Sequence, residues 1–580
     1  MIKKIILTTL VMLAFQFGFS QAGTGSLKGT VVDKTTGETL PFVNLVLIQN
    51  GTQKAGAATN IDGKFIINSI QPGKYTLQVS FIGYTKFQMN NLLIQSNKIT
   101  FQDVKLKSTD IEIETFEVIE YEVPLIDKDA GASGGTVTRD QISKMAGRSA
   151  ASVAATVGGV STNADGGISS VRGARSGDTY YYIDGIKVRG TSSLPKSAIQ
   201  EVSVMTGGLP ANYGDATGGI ISITTRGPSS FYFGGVEYVT SGYKIGEKTY
   251  GLDHNGYNLI EGSLSGPLFM KKDKDGNNEK PILGFFLSGN ATHIIDTRPL
   301  GNDQYQLKSE VKDQILENPI IVGEGGGVNY VTDFLTMDDF DKINFRQNVT
   351  QKSASISTKL DVNTGPNMNL SFGGTFNYGS GNGYSYSSAL LNSDNLSNSS
   401  SNTWRAYGKL TQRFANNTNK DSEKGSRISN AFYTVMVDYS KTSNNTKNTR
   451  HEDNLFDYGY VGKFDRQFEN SYGYDAETNM FIHNGFRETS ADFTASDKNS
   501  DLAAVTSQFY NLYGANIRNL DNVLAGNALR NGDVPRSVYG LFTNVGVQPG
   551  GYGYSEAGQF RVTASGSANV GDHALTIGFE

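Results

Sequence analysis

Over much of the chain from residue 229 onward, apolar and polar residues alternate. In Lys352 to Asn363, one side carries Ala354, Ile356, Thr358, Leu360 and Val362, and the other carries Ser353, Ser355, Ser357, Lys359 and Asp361. After Thr364-Gly-Pro-Asn367 the alternation resumes, with Met368, Leu370, Phe372, Gly374, Phe376 and Tyr378 opposing Asn369, Ser371, Gly373, Thr375 and Asn377. Leu283, Phe285, Leu287, Gly289 and Ala291 form another such face, as do Trp404, Ala406, Gly408 and Leu410, and Phe560, Val562, Ala564, Gly566, Ala568 and Val570. A period of two predicts strands, and lipid outside with water inside is the pattern of a transmembrane barrel. A soluble sandwich can alternate in the same way. The spacing favours the barrel: tight turns alternate with long polar stretches, Thr297 to Thr350, Gly379 to Asn402 and Lys441 to Glu556, as short periplasmic turns alternate with long outer loops in bacterial barrels.

Ahead of that region the pattern is different. Residues 24–108 hold short β-branched and aromatic runs, among them Gly29-Thr-Val-Val-Asp33, Val43-Asn-Leu-Val-Leu-Ile48 and Lys74-Tyr-Thr-Leu-Gln-Val79, punctuated by Thr36-Gly37-Glu38, Asn60-Ile-Asp62-Gly63 and Gln71-Pro72-Gly73. Strand runs this close together predict a small β-sandwich, with Asp33 and Asp62 capping turns. Residues 109–135 read as an acidic linker ending in a small-residue hinge. Residues 136–228 mix a helix-like stretch, Arg139 to Val157, with strands at Tyr180 to Ile183, Glu201 to Met205 and Gly219 to Thr225. Thr138 with Gln141 three residues later is an N-cap pattern, and Gly158-Gly159 is a stop.

Composition narrows the class. Lys3 and Lys4 precede an apolar run from Ile5 to Phe19, with small residues around Ser20; this order reads as a secretory signal over residues 1–20, cleaved before Gln21. No other stretch approaches the roughly 20 apolar residues of a membrane helix. The chain holds 68 glycines, 13 prolines and no cysteine, so disulfides, thiolate metal sites and a lipoprotein anchor are excluded together. The formal net charge of −5 is spread along the chain, and nothing suggests a nucleic-acid partner.

Two resemblances add to this reading. Gly-Thr-Val-Val-Asp33, Thr-Gly-Glu-Thr-Leu-Pro-Phe-Val-Asn44, Thr-Asn-Ile-Asp-Gly-Lys-Phe65, Pro-Gly-Lys-Tyr-Thr-Leu77 and Phe81-Ile-Gly-Tyr84 resemble the carboxypeptidase-regulatory-like domain that precedes many Bacteroidetes receptors. Ser169-Ser-Val-Arg-Gly-Ala174, Tyr180-Tyr-Tyr-Ile-Asp-Gly-Ile186, and Ile199 to Gly207 continuing through Ala211-Asn-Tyr-Gly-Asp-Ala-Thr-Gly-Gly-Ile-Ile-Ser-Ile223 resemble, in this order and spacing, the plug of TonB-dependent outer-membrane receptors. The plug signature residues are Arg172, Gly173, Asp184, Gly185, Tyr213, Gly214, Gly218 and Gly219. Tyr213-Gly214 and Gly218-Gly219 are positions of close backbone approach or positive φ. A free-standing α+β domain with glycine-rich turns is the other reading of this region.

The expected architecture is therefore mainly β: a small β-sandwich, an α+β plug, and over residues 229–580 part of a transmembrane antiparallel β-barrel. Barrels of the resembled family close at about 22 strands, and only about ten strand patterns follow Ser229, so the sequence reads as a fragment of a longer receptor. A smaller closed barrel is the other possibility, although it leaves little room for a plug. The resemblance implies that Arg172 pairs with barrel carboxylates. It also implies a TonB box between sandwich and plug, where Glu112 to Tyr121 reads as strand-prone but unpaired, with Phe116, Glu117, Val118 and Ile119 contacting TonB by edge addition. An ordinary extended linker is the other reading of that segment.

No catalytic constellation is present. His254, His293, His451, His483 and His573 lack ligand spacing, no nucleophile elbow occurs, and no cofactor or metal site is expected. The expected function is import of a scarce solute, of siderophore, oligosaccharide, peptide or cobalamin class, across the cell outer membrane. The expected partners are TonB, outer-membrane lipid and the solute. Dependence on a surface lipoprotein lid stays open, because Phe116-Glu-Val-Ile-Glu-Tyr-Glu-Val123 stands where the starch-utilisation type carries Asp-Val-Val-Val-Ile-Gly-Tyr-Gly. A plugged barrel acting as a scaffold for assembly, secretion or adhesion, and a secreted carbohydrate-binding protein, are the competing readings.

Overall fold

The computed structural model describes residues 24–49, 52–96, 98–108, 116–121, 133–163, 166–188, 193–209, 213, 216–245, 248–251, 256–272, 278–298, 300–324, 327–363, 365, 367–414, 428–513, 523, 525, 528–570 and 573–580. The expected signal segment, residues 111–115 of the linker, Gly214 and His254 lie outside the described residues.

The N-terminal unit is a two-sheet sandwich. Gly25–Asp33 pairs with Lys64–Ile70 on one side and with Ile99–Phe101 and Val104–Leu106 in parallel on the other. The facing sheet runs Thr52–Ala58, Asn44–Gln49, Gly73–Ser80, Lys86–Ile94, Phe116–Glu120. Alternate residues Leu27, Val31, Leu45, Leu47, Leu77 and Val79 point inward and are fully buried or nearly so; burial of aliphatic side chains on this scale is what lets a unit this small fold. Asp33 caps its turn by accepting from the Thr35 and Thr36 amides. At the second turn it is Asn60, not Asp62, that does so, accepting from the Asp62 and Lys64 amides.

One expectation is corrected here. The segment Phe116–Glu120 is not unpaired: it adds in parallel to Lys86–Asn90, with Val118 opposite Gln88. Its β-branched and aromatic residues favour a pleated surface, and the sandwich offers an open edge within reach. The added strand now forms that edge, with Val118 56% and Ile119 41% exposed.

The plug is a five-stranded sheet in the order Ser133–Thr138, Ile199–Gly207, Gly219–Thr225, Thr179–Ile183, Ile186–Val188. The helix-like stretch after Thr138 is two short helices, Arg139–Lys144 and Ala150–Ala154, rather than one. The first is capped as its sequence indicates, the Thr138 amide donating to Gln141 Oε1 at 2.9 Å. The break falls where Ser149 caps the second helix by accepting from the Ser152 amide, a bond that competes with helix continuation.

The remaining chain builds a nine-stranded antiparallel wall: Phe233–Thr240, Asn258–Lys272, Asn278–Ile294, Gln351–Asn363, Met368–Asn382, Ser397–Arg413, Ile428–Asn448, Gly553–Val570 and His573–Phe579. The sheet does not close into a barrel among the described residues. Side chains obey the alternation read from sequence. Ile356, Phe372, Phe376, Trp404 and Val437 are exposed on the outer face, whereas Ser355, Ser357, Lys359, Asp361 and Asp438 are buried on the inner one. No described helix is long and apolar enough to cross a membrane. Ile428–Asn448 has 21 residues, twice the roughly 9–11 that a tilted spanning strand needs.

The outer connections are more than polar loops. Gly462–Asp475 and Met480–Ala495 form a hairpin, and Ser500–Tyr513 is a helix. Ile320, Tyr330, Val461, Leu502 and Phe509 bury one another in a core of their own. The outer ends of the strands also run into the stretch expected as loop from Lys441 to Glu556, since Ser443–Thr446 pairs with Gly553–Glu556. Apolar residues too sparse to mark a period were enough to build this cap.

The faces of the wall yield a direct test. Phe372→Arg places a charge at an exposed apolar site and should cost about 2–4 kcal/mol if it lies near the midplane, whereas Thr375→Arg on the inner face should cost far less. Equal losses of folded, membrane-extracted protein in urea titrations of the two variants would refute the assigned faces.

Candidate functional site

The residues that seat the plug against the wall form the candidate site. Its centre is the hairpin that joins Thr179–Ile183 to Ile186–Val188. Ile183 pairs with Ile186, so Asp184 and Gly185 are a two-residue loop, and both have positive φ, 51° and 89°. That is a type I′ turn, the reason for an Asp-Gly pair at this position. The same turn aims the Asp184 carboxylate at both the plug and the wall. It accepts from the Thr225 amide at 2.9 Å and the Thr225 hydroxyl at 2.5 Å within the plug. From the wall it accepts the Tyr407 hydroxyl at 3.0 Å, with the Lys359 ammonium at 3.6 Å.

The Asp184 side chain is only 7% exposed. Burial pushes its pKa up, but Lys359 and the two Thr225 hydrogen bonds outweigh burial and hold the carboxyl below its ordinary range. It is therefore ionised, and it faces a second wall ammonium, Lys409, within electrostatic reach. Tyr407 reaches it because position 373 on the neighbouring strand is glycine: a Cβ there would overlap the Tyr407 ring.

A second contact holds the other side of the plug. Arg148, between the two short helices, grips Glu237 with both guanidinium nitrogens at 2.9 and 2.5 Å, and Glu261 lies 3.7 Å away. A fork on a carboxylate of this kind is directional as well as strong. Glu261 also accepts from the Ser197 amide at 2.6 Å, and the Ser197 and Ser288 hydroxyls share a hydrogen bond of 2.6 Å. Arg226, where the plug passes into the wall, stacks over Phe233 and Phe286 at 4.5 and 5.1 Å.

The other signature residues have local roles. Arg172 and Gly173 sit in a left-handed turn, φ 51° and 77°. The Arg172 side chain donates to Ser133 Oγ at 2.8 Å and is exposed. Among the described residues no wall carboxylate pairs with it, and the arginine–carboxylate fork between plug and wall is made by Arg148. Gly218 and Gly219 are sites of close approach: a Cβ at Gly218 would come within 2.9 Å of the Asp178 carbonyl oxygen, and one at Gly219 within 2.5 Å of Val171. Tyr213 is buried, its ring edge-on to Tyr182 at 5.1 Å.

No group of metal-ligating side chains occurs among the described residues. His451 Nε2 lies 2.8 Å from Asn499 Oδ1 in the outer cap, a structural contact.

The sandwich is tied to the plug through Glu201, whose carboxylate accepts from the Ser96 amide at 2.9 Å. Burial raises this carboxyl to about 7, against the opposing pull of the Ser96 amide and Lys98. Because the docked value exceeds the ordinary 4.5, the contribution to docking is fully present below about 4.5 and is lost as pH rises through about 7, by up to tenfold in the docking equilibrium per pH unit. Crosslinking between cysteines placed across this contact should fall between pH 5 and 8, and Glu201→Gln should flatten the profile. A pH-independent wild type would refute the assignment.

Comparison with known proteins agrees with this geometry. A CarboxypepD_reg-like domain model matches residues 27–118, taking in the first residues of the added strand, and a TonB-dependent receptor plug domain model matches residues 127–220. The chain carries the plug of a TonB-dependent receptor. It is 26% identical over 237 residues to the TonB-dependent transporter Oar of Myxococcus xanthus, an alignment covering 38% of this chain and 22% of that protein. The chain thus spans about a fifth of the length of the curated relative it matches. Among solved structures it is similar to the ferric enterobactin receptor of Pseudomonas aeruginosa, at 14% identity and a TM-score of 0.38 over 77% of this chain and 48% of that one. It is also similar to the ferric-catecholate import receptor Fiu of E. coli K12, at 13% identity and a TM-score of 0.34 over 77% and 59%. The curated relative that this chain resembles is a transporter, not an enzyme.

Proposed function

We propose that the chain acts in the cell outer membrane as a TonB-dependent importer, in which the plug blocks the lumen until TonB, pulling from the periplasmic side, shifts it. The observation that carries this reading is the polar seat itself. The plug meets the wall through the polar contacts of Asp184, Arg148 and Ser197, with Met436 as the buried apolar wall residue in the plug core. Interfaces of that kind break and reform more readily than packed hydrocarbon.

The upper lumen supports a cargo class. A cavity of about 540 Å³ above the plug is lined by Ser353, Ser399, Ser401, Asn444 and Thr446, with Lys352 as its one ionic residue. Neutral hydroxyl and amide groups recognise uncharged polar cargo, of oligosaccharide or peptide class, better than a highly charged chelate. The siderophore receptors among the similar structures keep ferric chelates among the alternatives. The test is accumulation of labelled oligosaccharide, peptide and ferric siderophore in cells with and without TonB. Accumulation of one of them that disappears without TonB is expected, and uptake of none in either strain would refute import. The second reading, a surface scaffold or adhesin, draws on the folded outer cap and its exposed Phe456, Phe481 and Phe486; it predicts surface binding that survives loss of TonB.

A further inference from the structure

The hairpin of Gly462–Asp475 and Met480–Ala495 has two unlike faces. Alternation puts Phe464, Phe468, Tyr472 and Tyr474 on one of them, and the register brings Phe493, Phe486, His483 and Phe481 to the same side. The other face carries Gln467, Glu469 and Ser471, with Ser490 and Arg487 across from them, and turns apolar only at the tip, at Ile482 and Met480. At its base the aromatic face is packed: Phe464 and Phe493 lie 4.9 Å apart, and Phe493 stacks on Tyr510 of the helix Ser500–Tyr513. From Phe468 to the tip the same chemistry runs on but stays open among the described residues, with Phe468, Tyr472, Tyr474, Phe481 and Phe486 each 51–74% exposed. A two-stranded hairpin is marginal alone and gains stability when one face is packed, and an open apolar patch above a few hundred Å² marks a contact surface.

Shape, charge and area narrow the occupant. The rings meet edge to face, Tyr474 and Phe481 at 64°, Tyr472 and His483 at 72°, His483 and Phe486 at 76°. They make ridges and hollows that interdigitate with side chains, as facing sheets do, and not the flat plane on which a sugar ring stacks. The two charged side chains on this face, Arg466 and Glu488, are forked to each other at 3.1 and 2.5 Å, which leaves no net charge to draw a charged partner or to repel an identical face. At the 150–250 Å² that an aromatic residue buries, the five open rings amount to about 600 Å² per copy. Two copies face to face would bury about 1,200 Å², the lower end of a stable specific interface. We propose that this face docks a second copy of the chain, hairpin on hairpin about a two-fold axis. The contact lies in the outer cap and rests neither on the import reading nor on the seat of the plug.

The test is the protein mass of the full purified chain in detergent, measured by light scattering over a dilution series. Twice the mass of one chain is expected at high concentration. Tyr474→Ser combined with Phe481→Ser should raise the dissociation constant of the dimer at least about tenfold, and Gln467→Ser on the polar face should leave it unchanged. The chain has no cysteine, so Phe486→Cys, midway along the open stripe, should oxidise into a link between copies, and Gln467→Cys should not. If the double variant fails to fold, the cysteine pair decides. A wild type that stays monomeric, its aromatic face left to a glycan, a lipid or a different protein, would overturn the proposal, as would a dimer that the double substitution does not weaken.

Discussion

Asp184→Asn should loosen the plug. Asparagine tolerates the left-handed conformation that the turn requires, so the hairpin keeps its geometry; the substitution removes the charge and puts an NH2 donor in place of one of the two oxygens that accept from Thr225 and Tyr407. It leaves the Lys359 and Lys409 ammonium groups, both buried, with Asp361 still acting favourably on Lys409. Removing one partner of a buried pair costs about 3–5 kcal/mol; Asp361 offsets part of this, so about 2–3 kcal/mol is the expected loss. Two readouts follow: greater sensitivity of cells to a bulky antibiotic that normal outer membranes exclude, and faster hydrogen exchange in the plug hairpin, Thr179 to Val188. Adding Lys359→Met should recover part of both, because removing the pair together leaves no stranded charge. Wild-type sensitivity and exchange at normal protein levels would mean that the Asp184 contact does not hold the plug.

Much of the fold was legible because its signals are local. The wall strands announce themselves by alternation, since lipid on one side and water on the other leave each position only one kind of residue. The plug turn is legible from Asp184-Gly185, because only residues that accept positive φ fit a two-residue hairpin loop. What the sequence hid is pairing at a distance. Lys359, Asp361 and Lys409 look like ordinary water-facing residues of a lumen, and only the assembled wall shows that they face a buried carboxylate. Tyr407 gave no sign of its role, because its reach depends on Gly373 one strand away. Arg148 lies between two short helices that read as one, so its aim at Glu237 depended on a break that the periodicity did not reveal. Arg172 shows the converse: it belongs to a recognisable motif, and its left-handed turn brings the guanidinium to Ser133, a contact that the motif does not announce.

The segment Phe116–Glu120 joins these two lessons, and the second large effect is expected there. Its strand character was legible; its partner was not. Because it ends the sheet among the described residues, no described strand covers its outer edge, and an edge already held extended by a folded sheet loses less entropy on pairing than a loose linker does. TonB contact at Phe116, Glu117, Val118 and Ile119 is thus proposed as addition to a presented edge, with no need to melt the strand first. Proline at Val118 removes a backbone donor and fixes φ near −65°, which a paired strand does not tolerate. Val118→Pro should lower uptake to the level of a strain without TonB while leaving cargo affinity of the purified protein unchanged, and Val118→Thr, which keeps strand propensity, should retain uptake. Hydrogen exchange over Lys86 to Asn90 separates the two ways the proline can act: unchanged protection means that the free edge is what TonB needs, and lost protection means that the strand has come off the sandwich. Normal uptake in the proline variant would place the TonB contact in another segment.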